Sequence, residues 1–350
     1  MALIPTRTEV ARAYFWLLES AGAASLLMRD AGEAERLVIL NLHSVCPNPN
    51  PFWSPLHPSL FAELLAFIAP RFEVTTFAGL QHRTGRRPPL VLSFDDGFHD
   101  FVEYAAPVLA KYGMHANQNV IGQCAMTGLP PVIVRLNDFL GAAPRSLLDE
   151  IRLPGFTVRL TGDSDDERTR FGLALAYHMK MRPSQEAARD WQTLEGLFSR
   201  LDFASTRMMS IAEIRLAASE GHEIGSHSFG HESMAFETDA FFAADFARSA
   251  EFFRERLELP LAVYAFPNAS WRASHLDFLE RRGVAHALLV GETYSSTSNR
   301  VHARFNHYSR SPSETHLRAC GYASPGALAR SAWRSASSGF GGRAPRRPVV

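Results

Sequence analysis

The chain has 350 residues, enough for one large α/β domain or two smaller ones. Hydrophobic residues make up 46% and charged residues 21%, an ordinary balance for a folded protein. Lys plus Arg and Asp plus Glu both number 36, leaving no basic excess for a nucleic-acid surface and no acidic block for a basic partner.

The first apolar stretch is ARAYFWLLESAGAASLLMRDAG, residues 11–32, interrupted by Glu19, Arg29 and Asp30. No run reaches the ~20 apolar residues that span a bilayer, and the pattern of a secretory peptide is poor. The spacing predicts an amphipathic helix in an N-terminal extension over 1–36. Weak docking of its aromatic cluster on a membrane surface is the lesser reading.

RLVILNLHSV (36–45) reads as a buried strand, and the Pro- and Asn-rich stretch 46–58 as a loop. SLFAELLAFIAPRF (59–72) has a helical pattern. PPLVLSFDDG (88–97) is the next strong strand, followed by a helix stopped by Gly113 and a strand over 114–122. Alternation of this kind implies parallel β/α units. Residues 141–205 break it with three helical patterns and no motif, as expected of a helical insertion or lid. The alternation resumes at 210 and continues to VAHALLVG (284–291). The expected main domain is 37–330, and the Gly-, Ser-, Pro- and Arg-rich tail, 331–350, is expected to be disordered.

Three cysteines, Cys46, Cys124 and Cys320, are widely spaced and form no CxxC pair. They read as reduced thiols and favour a cytoplasmic setting.

Two strand ends carry chemistry. Asp95 and Asp96 follow an apolar strand, where two like charges repel and burial adds to the cost of each. His227 and His231 stand four apart just after the short strand HEIGS. In a parallel barrel such ends converge on one face. One carboxylate and two imidazoles suit a zinc-like ion, and the second carboxylate is then free to take a proton from water. His222 lies ~16 Å from His227 along an extended strand, and reads as structural.

The stretches SFDDG (93–97), HSFGH (227–231) and, more loosely, YAFPNAS (264–270) resemble the polysaccharide deacetylases with the nodulation-type chitooligosaccharide deacetylase domain, a carbohydrate esterase family 4-like group. The resemblance runs from about residue 37 to about 320, leaving the helical insertion aside. It implies an irregular (β/α)7 barrel, with Asp95 as general base and Asp96, His227 and His231 as ligands of one divalent ion. Zn²⁺ is the first choice for that ion, and Co²⁺, Ni²⁺ and Fe²⁺ suit the same donors. Pro267 and Asn268 would line the oxyanion side of the substrate pocket. Asn268 replaces an aromatic residue of many relatives, and Ala265 falls where they have an arginine. Support for Asp95 would then have to come from Arg272 or Arg304. His307, two residues after Phe305, matches the general acid, with His302 as the alternative.

His43 at the first strand end is expected to wall the substrate pocket, and His99 to face solvent. Asn117, Gln118 and Asn119 are unusual for a strand, and either place an amide in the pocket or bridge layers. The expected function is metal-dependent removal of an N-acyl group, acetyl first, from an amino sugar or glycan precursor, without nucleic acid. A deformylase or other non-peptide amide hydrolase, and a catalytically silent barrel that binds carbohydrate or protein, remain the alternatives.

Overall fold

Within each strand the buried residues alternate between two cores, and this alternation shapes the molecule. A computed structural model of the chain describes residues 7–31, 36–48, 52, 55–162, 164–326 and 328. Its strands are β1 (Arg36–Leu42), β2 (Glu73–Thr75), β3 (Pro89–Phe94), β4 (Asn117–Val120), β5 (Glu223–Ser226), β6 (Val263–Ala265), β7 (His286–Val290), β8 (Ser295–Ser296) and β9 (Val301–Asn306). Strands β1, β3, β4, β5, β6, β7 and β9 are parallel neighbours in that order, and β9 returns to β1. The sheet is therefore closed, as the expected (β/α)7 barrel. Its irregularities are β2, beside the first half of β3, and β8, antiparallel to the start of β1.

Leu37, Ile39, Val91, Val263, Ala265 and Leu288 pack with Phe77 into one core. The intervening Val38, Leu40, Leu42, Leu90, Leu92 and Phe94 join the main core with the surrounding helices. Each such side chain stabilises the fold by about 1.5–3 kcal/mol on burial. Further along the strands the first set turns polar: Asn41, Ser93, Asn117, Asn119 and Arg304 are all buried. A buried polar group is tolerable only when it is hydrogen-bonded. Ser93 Oγ donates to Asn117 Oδ1 at 2.8 Å, and Asn41 Nδ2 donates to Asn306 Oδ1 at 3.0 Å. Gly225 on β5 makes room for this layer, because a Cβ there would sit 2.2 Å from Asn119 Oδ1.

Helices Arg7–Ser20 and Ala23–Ala31 bury Phe15 and Leu27 in the main core. Glu19 on the first of them meets His316 on the helix Pro312–Ala319 at 2.6 Å. The helices Val132–Ala142, Arg145–Leu148, Asp165–Lys180 and Ser184–Phe198 enclose a separate core around Leu136, Phe139, Leu140, Phe171, Leu175 and Leu194. This core reaches back onto Val132–Ala142, upstream of the expected start near 141. The chain re-enters the barrel through a bridge between Phe98 and Met208, and a capping box of Ser210 and Glu213 starts the helix that leads into β5. Among the described residues no helix is long and apolar enough to cross a membrane. The tail 331–350, expected to be disordered, lies outside the described residues.

Candidate active site

The turn after β3 is built on two residues in the left-handed region, Asp96 and Gly97, each with φ of 75°. Gly97 suits it, since a Cβ there would come within 3.3 Å of Val120. Asp96 holds the same conformation without that freedom, and so do Ser228 (φ 62°), His231 (φ 72°) and Asn268 (φ 55°). Strained backbone of this kind collects where side-chain placement matters more than local comfort.

The strain brings Asp96, His227 and His231 together. Asp96 Oδ1 lies 3.4 Å from His227 Nε2 and 3.3 Å from His231 Nε2. One donor atom from each of the three residues falls within 4.8 Å of the others. His227 Nδ1 stands 3.0 Å from the Ala265 carbonyl, which fixes the proton there and turns Nε2 towards Asp96. Burial pushes the His227 imidazole down to about 4, so the ring is neutral, as a ligand must be. Asp96 Oδ1 is buried with no hydrogen-bond partner. Burial alone would raise the Asp96 carboxyl, but the neighbouring imidazoles outweigh it and hold it below the usual range. A buried, ionised carboxylate oxygen without a hydrogen-bond partner, facing the Nε2 atoms of two histidines, fits a divalent cation.

Asp95, the adjacent residue, is occupied differently. Arg304 donates from Nη1 to Oδ1 and from Nη2 to Oδ2, both at 2.8 Å, and Asn119 Nδ2 donates to Oδ1 at 2.8 Å. Arg304 also donates to Ser93 Oγ at 3.1 Å. Burial opposes the charge on Asp95, yet Arg304, with His227 and His43, holds the carboxyl far below the usual carboxylate range. Of the two arginines expected to support Asp95, Arg304 is the one that does so. Arg272 is engaged elsewhere, donating to Asp239 Oδ1 at 2.7 Å.

His43 Nε2 is 4.0 Å from Asp95 Oδ2. His43 and His307 line one cavity of about 360 Å³ together with Asn41 and Asn306. Both ring nitrogens of His307 are buried without a partner, and burial, with Arg318 nearby, pushes the ring down to about 3. His302 is hydrogen-bonded to His286 at 2.9 Å and Ser295 at 2.8 Å and packs on Phe77, at the apolar end of the barrel. His222 accepts from the Ala116 N–H at 3.2 Å, a structural role as expected. His99 departs from expectation: it is only 14% exposed and meets Glu213 Oε1 at 3.0 Å, because the returning insertion packs over it. Asn119 brings its amide to Asp95, while Gln118 makes no hydrogen bond through its amide. Pro267 is buried, and Asn268 lines a second cavity, of about 170 Å³, that also touches His231. The buried centre is thus flanked by a cavity on the Asp95 side and another on the His231 side.

The sequence profile of the polysaccharide deacetylase family matches residues 203–287, the part that carries His227, His231 and Pro267. No curated protein matches the chain. Among solved structures, the deacetylase PplD of Streptococcus pyogenes, determined with acetate, aligns at a TM-score of 0.52 with 14% identity, over 81% of this chain and 98% of that one. IcaB from Ammonifex degensii aligns at 0.51 with 16% identity, over 82% and 98%. BA0330 of Bacillus anthracis, assigned to the polysaccharide deacetylases, aligns at 0.51 with 11% identity, over 81% and 69%. These likenesses bear on the fold, and the profile match bears on residues 203–287. Residues 203–287 thus match the polysaccharide deacetylase family, within a fold that the chain shares with solved deacetylases.

Proposed function

We propose that the chain removes an N-acyl group, acetyl first, from an amino sugar or glycan precursor, with water as nucleophile and Asp95 as general base. The observation that carries this is the division of labour between adjacent carboxylates. Asp96 faces the Nε2 atoms of His227 and His231, while Asp95 is clamped by Arg304 and Asn119.

Asp96, His227 and His231 would hold one divalent ion, Zn²⁺ by preference. Bound there, such an ion supplies Lewis acidity that polarises the acyl carbonyl and makes water a better nucleophile. Asp95 receives the proton of the attacking water, and Arg304 and Asn119 keep its carboxylate in one orientation during the transfer. Pro267 and Asn268 line the side where the acyl oxygen gains charge, and the backbone N–H of Asn268 is suited to donate a hydrogen bond to it. His307 is the group that passes a proton to the departing amine. Its ring is neutral at rest, so that proton must first reach it. His43, beside Asp95 and in the cavity of His307, stands on that route and walls the pocket. The free thiols Cys46, Cys124 and Cys320 favour a cytoplasmic substrate over an external polymer.

The test is release of acetate from a panel of N-acetylated sugars and sugar conjugates by metal-stripped protein, with and without added Zn²⁺ or Co²⁺. Metal-dependent acetate is the expected result, with Asp95→Asn lowering the rate by about 10²–10⁴-fold. Formate from N-formyl sugars with no acetate from the panel would move the reading to a deformylase. Silence on both, with metal bound, would leave the silent barrel.

A further inference from the structure

The cavity beside His231 has one wall from the barrel and one from the helical insertion. The barrel contributes His231 and Asn268, and the insertion contributes Lys180, Arg182 and Trp191. Trp191 packs against the core of the insertion on one side and lines the cavity on the other. An aromatic plate beside a few polar groups is the usual make-up of a small-molecule site.

The charges in this cavity differ in how they are matched. Arg182 is paired with Asp190. Glu237 accepts the N–H of Ser184 at 2.6 Å, at the start of the helix Ser184–Phe198. Glu232 lines the same wall with Oε2 buried and unpartnered, outside ion-pair reach of Lys180. Lys180 itself has no hydrogen bond or ion pair among the described residues. Burial pushes its ammonium below the ordinary lysine range against the pull of Asp96, the one charge that acts on it appreciably. A half-buried cation with no ion-pair partner is better satisfied once an anion reaches it. A lysine at the end of a helix is normally content in solvent, so its turn into the cavity calls for a reason.

We propose that Lys180 recognises an anionic group on the substrate, which is then an N-acyl amino sugar bearing a phosphate or a carboxylate. The sugar ring lies against Trp191, the anion meets Lys180, and the acyl group reaches the centre on the His231 side. This rests on the reading of Asp96, His227 and His231 as the reaction centre. It makes the insertion a part of the substrate pocket.

The test measures binding of reaction products, which do not turn over, so its outcome is separate from whether acetate is ever released. Glucosamine 1-phosphate, muramic acid and glucosamine, which lacks an anionic group, are titrated calorimetrically into the full chain loaded with Zn²⁺, as wild type, Lys180→Met and Lys180→Arg. Wild type is expected to bind at least one acidic sugar about tenfold or more tighter than glucosamine, the size of one charge-assisted hydrogen bond. Lys180→Met should erase that preference while leaving glucosamine binding unchanged, and Lys180→Arg should retain most of it. Which acidic sugar is preferred separates phosphate from carboxylate. Equal binding of all three by wild type, a preference that survives Lys180→Met, or an equal loss for glucosamine would each overturn the proposal. Thermal melts of the variants establish that each is folded. If the preference follows Lys180 and no sugar yields acetate, the anion site stands and the deacetylation reading falls.

Discussion

In the polar half of the barrel, Ser93, Asn117, Asn119, Asp95 and Arg304 are buried and hold one another through hydrogen bonds that cross from strand to strand, and buried Asn41 is bonded to Asn306. In the helical insertion the buried set is mainly Leu136, Phe139, Leu140, Phe171, Leu175 and Leu194, and what holds it is apolar area. The barrel interior is therefore a network in which each member depends on its partners, so that removing one leaves the rest unsatisfied. The insertion core is closer to a sum of contacts, each replaceable at a graded cost. Precision is spent where protons move, and bulk is spent where a wall is needed.

The sharpest way to break this contrast is Arg304→Met. It strands the Asp95 charge in the barrel, with Asn119 as its remaining side-chain donor, and should cost about 3–5 kcal/mol of stability. Arg304→Lys should recover only part of that, because an ammonium cannot make both hydrogen bonds that the guanidinium makes. Adding Asp95→Asn to Arg304→Met should restore stability without restoring turnover, and urea melts of the single and double variants read this coupling.

Leu175→Ala in the insertion is next in size, at about 2–5 kcal/mol for a cavity in an apolar core. Here no second substitution of a polar residue should compensate, and metal affinity measured by calorimetry should stay at the wild-type value. A loss of metal binding would mean that the two regions are not as separable as their cores imply.

A smaller effect belongs to the seam between them. Asp100, which accepts from Ser44 Oγ, lines a cavity of about 400 Å³ that also contains Asp138 and Thr206 from the insertion side. Burial pushes the Asp100 carboxyl up to about 7. The folded chain thus holds this proton where the unfolded chain has lost it. Its contribution is full below the unfolded carboxylate value and disappears as pH rises through about 7. Asp100→Asn should therefore gain on wild type between about pH 5 and about pH 8, by about 1–2 kcal/mol after allowance for partial solvent access. Denaturant melts at the two pH values give the comparison directly.

Much of the barrel is legible in the sequence because its signals are local. A run such as PPLVLSFDDG carries its own period, its own stop and its own acids, and HSFGH likewise keeps both imidazoles within one turn. Arg304 is only half legible. Its parity with His302 and Asn306 places it on one face of β9, but meeting Asp95 depends on β9 pairing with β1, and that closure leaves no trace in the residues nearby. His99 is misread for the same reason, since what covers it arrives from beyond residue 205. Lys180 gives no local sign at all. At the end of a charged helix it looks like any solvated lysine until the insertion is docked against His231. The upstream limit of the insertion is hidden too, because Val132–Ala142 continues a helical pattern without a break.

The central claim is that adjacent carboxylates have separate tasks, one holding a metal and the other moving a proton. Calorimetric titration of Zn²⁺ into metal-stripped wild type, Asp96→Ala, His231→Ala and Asp95→Asn tests it most directly. The account predicts one ion per chain for wild type and Asp95→Asn, and at least a hundredfold weaker binding for Asp96→Ala and His231→Ala. Stoichiometric binding that survives loss of Asp96 and His231, or that vanishes with Asp95→Asn in a folded protein, would contradict it.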